Sequence, residues 1–131
     1  MRILKPYLTY LMSALHELPA YEGRVYRGVP SSALSVIQNQ YKSGMDIQWS
    51  SFTSTSCRIE TAKGFAERGG IVFVIDVVNG RDITHYSAYQ GEVEILLSPN
   101  SRFFVTSEAT LKDDGFYYVK VHQRSGEGLV F

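Results

Sequence analysis

The chain has 131 residues, 13 Lys+Arg against 13 Asp+Glu, three His and one Cys. Zero net charge leaves no electrostatic footprint for nucleic acid or an anionic membrane, and a single Cys excludes an internal disulfide framework and a multi-Cys zinc site. With 44% apolar and 20% charged residues, this is a folded composition at a length that suits one domain, residues 1–131.

Leu8, Leu11, Met12, Leu15 and Leu18 follow helical spacing, with Pro6 near the start and Pro19 just past the end. Gly23 to Gly28 reads as a short strand, ended by Val29-Pro30. Ser31 or Ser32 is expected to cap a second short helix through about Gln38, with Leu34 and Ile37 on one face. Tyr41 to Met45 is a loop. Ile47 to Ser56 is rich in aromatic and β-branched residues and reads as strand. Glu60 to Glu67 is a short helix with Ala62, Phe65 and Ala66 facing inward, stopped by Gly69-Gly70. Ile71 to Val78 is a nearly continuous apolar strand, hence central, and Asn79-Gly80 signals a turn. Ile83 to Tyr89 is an irregular aromatic loop. Strands follow at Gly91–Leu97, Arg102–Glu108 and Phe116–Gln123, separated by turns at Ser98–Ser101 and Asp113–Gly115, with a last short one at Gly128–Phe131. Helices first and strands afterwards argue α+β, with mostly antiparallel strands in two packed sheets flanked by short helices.

Three places stand out as candidates for chemistry. Arg27 and Gly28 end an otherwise apolar and aromatic strand. Such an Arg either snorkels to solvent or grips a phosphate or carboxylate with its planar fork, and Gly28 lets a ligand approach the backbone. The hydroxyl run Ser50 to Ser56, broken only by Phe52, is either a solvated strand face or a set of placed donors. Ser54 and Ser56 share one face of that strand and Thr55 points the other way. In Gly91-Glu92-Val93-Glu94-Ile95-Leu96-Leu97, two carboxylates share one strand face about 6.5–7 Å apart. They are either an exposed pair at a strand end or an arrangement for acid–base or cation-stabilising work. Such work includes cleavage through an oxocarbenium-like transition state.

Taken in order, Val25-Tyr26-Arg27-Gly28, Phe52-Thr53-Ser54-Thr55-Ser56 and Gln90-Gly91-Glu92-Val93-Glu94 resemble the arginine-specific mono-ADP-ribosyltransferases of the Arg-Ser-Glu class. The resemblance runs from about Gly23 to Val105. It implies the ADP-ribosyltransferase fold and an enzyme that moves ADP-ribose from NAD to a protein arginine, releasing nicotinamide. It implies that Arg27 holds the phosphate and ribose region of NAD, and that the Gly28 backbone pairs with the nicotinamide amide. Ser54 would fix Glu94, the carboxylate that meets the nicotinamide ribose. Glu92 would orient and deprotonate the acceptor arginine, and Tyr89 would touch the target protein. Phe65, Phe73 or Tyr86 would stack on nicotinamide. Arg68 is the one basic residue in the brief segment before the central strand and is a further NAD-binding candidate.

The chemistry of the residues agrees with those roles. A fixed carboxylate stabilises the positive charge that builds on the ribose, and a second glutamate suits a guanidinium acceptor. Vertebrate surface members of the resembling family carry disulfides, which one Cys excludes here. Cys57 reads as a buried small residue. His16 and His122 read as structural, and His85 lies in the loop before the glutamates. NAD is expected as co-substrate and a protein with an exposed arginine as partner, with no metal, nucleic acid or membrane. The alternatives are an NAD glycohydrolase on the same fold and a non-catalytic binding domain of that fold. No apolar run approaches the roughly 20 residues of a membrane span. No signal peptide is legible at the N-terminus, so location is open between a secreted effector or toxin domain and an intracellular enzyme.

Overall fold

The computed structural model describes residue 14, residues 17–84 and residues 93–124. The expected first helix falls almost wholly outside these residues, as do most of the loop before the glutamates and the last short strand. Among the described residues there are seven strands: β1 (Ala20–Val29), β2 (Asp46–Trp49), β3 (Thr53–Ser56), β4 (Ile71–Asp82), β5 (Glu94–Leu97), β6 (Ser101–Leu111) and β7 (Tyr117–Gln123). Among the described residues two α-helices join them, α1 (Leu34–Gln40), preceded by a 3-10 turn at Ser31–Ala33, and α2 (Ile59–Ala66). Among the described residues no helix is long and apolar enough to cross a membrane.

β4 is the spine. Its run Ile71–Ile75 is buried throughout because both faces are covered. Ile71, Phe73, Ile75 and Val77 pack into the main core with Phe103, Val105, Val119 and Val121. Val72 points the other way, onto Ala62 and Ala66 of α2. Each such Ile or Val contributes roughly 1.5–3 kcal/mol of burial, so the strand that carries most of them must lie in the middle. One edge of β4 pairs antiparallel with β1 from Val29↔Ile71 to Ala20↔Arg81. The other edge pairs parallel with β7 over Ile71–Asp76, then antiparallel with β5 over Gly80–Asp82.

This change of partner along β4 decides the architecture. The sequence suggests two packed sheets, whereas the ladders among the described residues join all seven strands in the order β1-β3-β5-β4-β7-β6-β2. The β1–β4 ladder closes β1, β3, β5 and β4 on themselves, and β7, β6 and β2 extend from the other edge of β4. The fold is α+β, and among the described residues the β4–β7 ladder is parallel and the other ladders antiparallel.

Other differences have local causes. The expected strand Ile47–Ser56 is two strands with different partners. β2 pairs β6 at the far edge, while β3 pairs β5 and β1. The exposed Ser50-Ser51 pair carries the chain between them. Asn79-Gly80 is not a turn but part of β4. Gly80 is there for space, since a Cβ at that position would lie 2.6 Å from Cγ2 of Ile95. Neither Ser31 nor Ser32 caps a helix: Pro30 occupies the N-cap of the 3-10 turn, with no side-chain hydrogen bond. α2 ends as expected, before Gly69-Gly70, with Glu67 at φ 59°.

Candidate active site

β1, β3, β5 and α2 enclose a cleft of about 330 Å³, at the small end of the range for ligand sites. Its lining comprises Tyr26, Arg27 and Gly28 from β1, Ser54, Thr55 and Ser56 from β3, Thr61, Ala62 and Phe65 from α2, and Val93 and Glu94. Residues 27 and 67 positions apart in sequence therefore meet because β3 lies between β1 and β5.

The alternation expected of β3 holds. Thr53 and Thr55 are buried, and the Thr55 hydroxyl donates to the carbonyl of Ile95 at 2.7 Å. Ser54 turns to the open face. Its direct partner across the ladder is Leu96, and Ser56 faces Glu94, so Ser54 and Glu94 are diagonal neighbours on one face, within reach of a long side chain. The Ser54 hydroxyl donates to Oε2 of Glu94. Glu94 opens β5 and is half-buried, whereas Ile95 and Leu97 are fully buried. The carboxylate thus stands where the apolar strand emerges.

Arg27 is half-buried on β1, and its Nη1 donates to the Ser54 carbonyl at 3.2 Å. Burial lowers its pKa and the neighbouring Tyr41 phenol opposes that shift. An arginine stays protonated regardless, so Arg27 sets a fixed cation in the cleft, against the Ser54 backbone of β3. A five-donor planar fork of this kind suits a pyrophosphate.

Gly28 serves a purpose the sequence did not disclose. A Cβ there would fall 1.9 Å from the carbonyl oxygen of Ala62. The close approach it permits is that of α2 to β1, which sets the width of the cleft. Phe65, expected to face inward, is 56% exposed and forms part of the cleft wall instead. Ala62 and Ala66, one helical turn apart, take the buried face, and Phe65 lies about 100° around the helix from Ala66.

Arg68 does not line the cleft. Its side chain lies over Gly115, where a Cβ would come within 2.9 Å of its Nε, in the turn between β6 and β7. Phe73 is taken up by the core, with its ring against Tyr41 and Trp49. Tyr86, Tyr89 and Glu92 lie outside the described residues. Cys57 packs against the core and its thiol donates to the Tyr21 hydroxyl at 3.4 Å. Thr61, Tyr26 and Val93 belong to the cleft without having been singled out in the sequence. Their signal is positional only: each sits directly beside a motif residue or beside Ala62.

The family model for NAD:arginine ADP-ribosyltransferases matches residues 3–125. The Mav protein of Mycobacterium avium (strain 104) is 36% identical over 116 residues, 87% of this chain and 14% of that protein. The NAD(+)–protein-arginine ADP-ribosyltransferase Tre1 of Serratia proteamaculans is 31% identical over 78% of this chain and 21% of its own length. The ADP-ribosyltransferase Vis, solved in complex with agmatine, superposes with a TM-score of 0.69 at 28% identity, covering 95% of this chain and 60% of that one. Vis comes from Vibrio splendidus. The chain therefore spans well under half the length of these two curated relatives. With a family match over nearly its whole length and the Arg27, Ser54 and Glu94 side chains in one cleft, the chain belongs to the NAD:arginine ADP-ribosyltransferase family.

Proposed function

We propose that residues 1–131 form a single catalytic domain that transfers ADP-ribose from NAD to an arginine side chain of a protein, with release of nicotinamide. The observation that carries this reading is the Ser54 hydroxyl bonded to the Glu94 carboxylate in the cleft that also holds Arg27. When the N-glycosidic bond breaks, its electron pair leaves with nicotinamide and positive charge builds at the ribose. A carboxylate already held in place by Ser54 stabilises that charge without reorganising, an effect of order 10²–10³ in rate for a single preorganised group. Arg27 is suited to the pyrophosphate, and the exposed ring of Phe65 to an apolar or aromatic part of the substrate.

An arginine acceptor then attacks the ribose carbon through a guanidine nitrogen and gives up a proton. Glu92, two residues before Glu94, is the group we assign to take that proton and to orient the guanidinium. The complex of Vis with agmatine, a guanidine compound, and the name of Tre1 favour arginine as acceptor. The partner is accordingly a protein with an exposed arginine.

The test is transfer of label from NAD to agmatine. The wild-type domain is expected to label agmatine, and Glu94→Gln to reduce the rate at least about 100-fold. Release of nicotinamide with no labelled agmatine would turn the reading into NAD hydrolysis. A Glu94→Gln rate within threefold of wild type would remove Glu94 from the chemistry.

A further inference from the structure

The ladder between β4 and β5 ends at Asp82↔Ile95, one residue short of Glu94. Glu94 is nevertheless held on that side. Its carbonyl accepts from the backbone N–H of Ile83 at 2.9 Å, and its own N–H donates to the Thr84 hydroxyl oxygen at 3.2 Å. The Thr84 hydroxyl in turn donates to Oδ1 of Asp82, which also accepts from the Thr84 backbone N–H at 3.0 Å. Asp82 is itself tied down, its N–H donating to the carbonyl of Pro19 at 3.0 Å.

A hydroxyl has one hydrogen to give and lone pairs to offer. A carboxylate takes the hydrogen of Thr84, so a lone pair is left aimed at the Glu94 N–H. The side chain of Thr84 thus replaces the rung that β4 no longer supplies. Glu94 is the first residue of β5, and a strand's first residue frays unless it is tied down. Fraying here would swing the carboxylate away from Ser54.

We propose that Thr84, oriented by Asp82, is a positioning residue for Glu94. It fixes the backbone from which the carboxylate projects, while Ser54 fixes the carboxylate itself. The inference rests on the reading of Glu94 as the group that meets the ribose. Loss of this support leaves the substrate site intact and blurs the placement of the reacting carboxylate, and misplacement of about 1 Å costs up to about 100-fold in rate.

The experiment uses Thr84→Val, which keeps the shape and removes the hydroxyl, and Thr84→Ser, which keeps the hydroxyl. Both are assayed for label transfer from NAD to agmatine, with melting temperature recorded. Thr84→Val is expected to lower kcat about tenfold with KM for NAD within about twofold of wild type, and Thr84→Ser to stay within about threefold of wild-type kcat. Wild-type kcat in Thr84→Val, an effect on KM alone, or an equal loss in Thr84→Ser would overturn the role. If Thr84→Val does not fold, Asp82→Ala keeps the hydroxyl but frees its direction: a drop in kcat at constant KM supports the role, and wild-type kcat overturns it. Glu94→Gln run in parallel separates the two readings. An inactive Glu94→Gln beside a wild-type Thr84→Val overturns the positioning role alone. An active Glu94→Gln overturns the assignment of Glu94, and this inference with it.

Discussion

Replacing Gly28 with Ala places a methyl group where α2 already sits. The added Cβ would lie 1.9 Å from the Ala62 carbonyl oxygen, 2.8 Å from its carbonyl carbon and 2.9 Å from the Ala66 nitrogen, against 3.4 Å or more for an ordinary contact. The obstacle is backbone, so no side chain can rotate away. The helix must lift by about the missing 1.5 Å (3.4 less 1.9). A gap of 0.5–1 Å already forfeits a quarter to a half of a dispersion contact, so the packing of Ala62 and Ala66 on Val72 is largely lost. Overpacking costs typically 1–3 kcal/mol, and this site belongs at the upper end, about 3 kcal/mol. For a domain of this size that is a fall of about 10 °C in Tm. Thr61 and Phe65 move with the helix, so KM for NAD should rise as well. The control is Gly64→Ala on the same helix, where nothing lies within 4 Å of the added Cβ; it should gain about 0.5–1 kcal/mol. Melting by calorimetry and NAD-dependent kinetics check both. A Tm for Gly28→Ala within about 2 °C of wild type would refute the steric argument.

Two further outcomes follow from the same geometry. Arg27→Lys keeps the charge but loses the planar fork, so KM for NAD in the agmatine assay should rise about tenfold or more while the fold persists; an unchanged KM would remove Arg27 from NAD binding. The second concerns Asp114, which accepts from Lys63 at 2.8 Å and from the Tyr118 hydroxyl, linking α2 to the turn between β6 and β7. The Lys63 bond first, then Tyr118, lowers the Asp114 carboxyl from 3.8 to about 2. A carboxylate depressed in the folded state stabilises above its unfolded pKa and loses that contribution as pH falls towards the folded value. Asp114→Asn should therefore melt a few degrees below wild type at pH 7, with the gap closing between about pH 4 and pH 2. A gap that stays constant over that window would contradict the assignment.

The parts of the site that could be read in the sequence are those with a repeat or a motif behind them. Arg27, Ser54 and Glu94 were visible because β alternation fixes which of Thr53 to Ser56 faces out, and because charges at the ends of apolar strands stand apart. β4 was visible because a strand covered on both faces is a continuous apolar run. What escaped depends on contacts between elements. Asn79-Gly80 has the composition of a turn, yet Gly80 answers to the Ile95 side chain on β5. Gly28 answers to α2 for the same kind of reason. Phe65 was misplaced because an eight-residue helix has too few turns to define its buried face without knowing that Val72 is the surface beneath. Thr84 carries no periodic signal; its value appears only once the β4–β5 ladder is seen to stop one residue before Glu94.

The proposed transfer turns on the Glu94 carboxylate, held by Ser54 beside Arg27, as the group that meets the nicotinamide ribose. The most direct measurement is a crystal structure of this domain with NAD bound. That structure is expected to show a Glu94 oxygen within hydrogen-bond distance of a ribose hydroxyl, with the pyrophosphate on the Arg27 guanidinium. NAD bound with its ribose turned away from Glu94, or bound outside the β1–β3–β5 cleft, would contradict it.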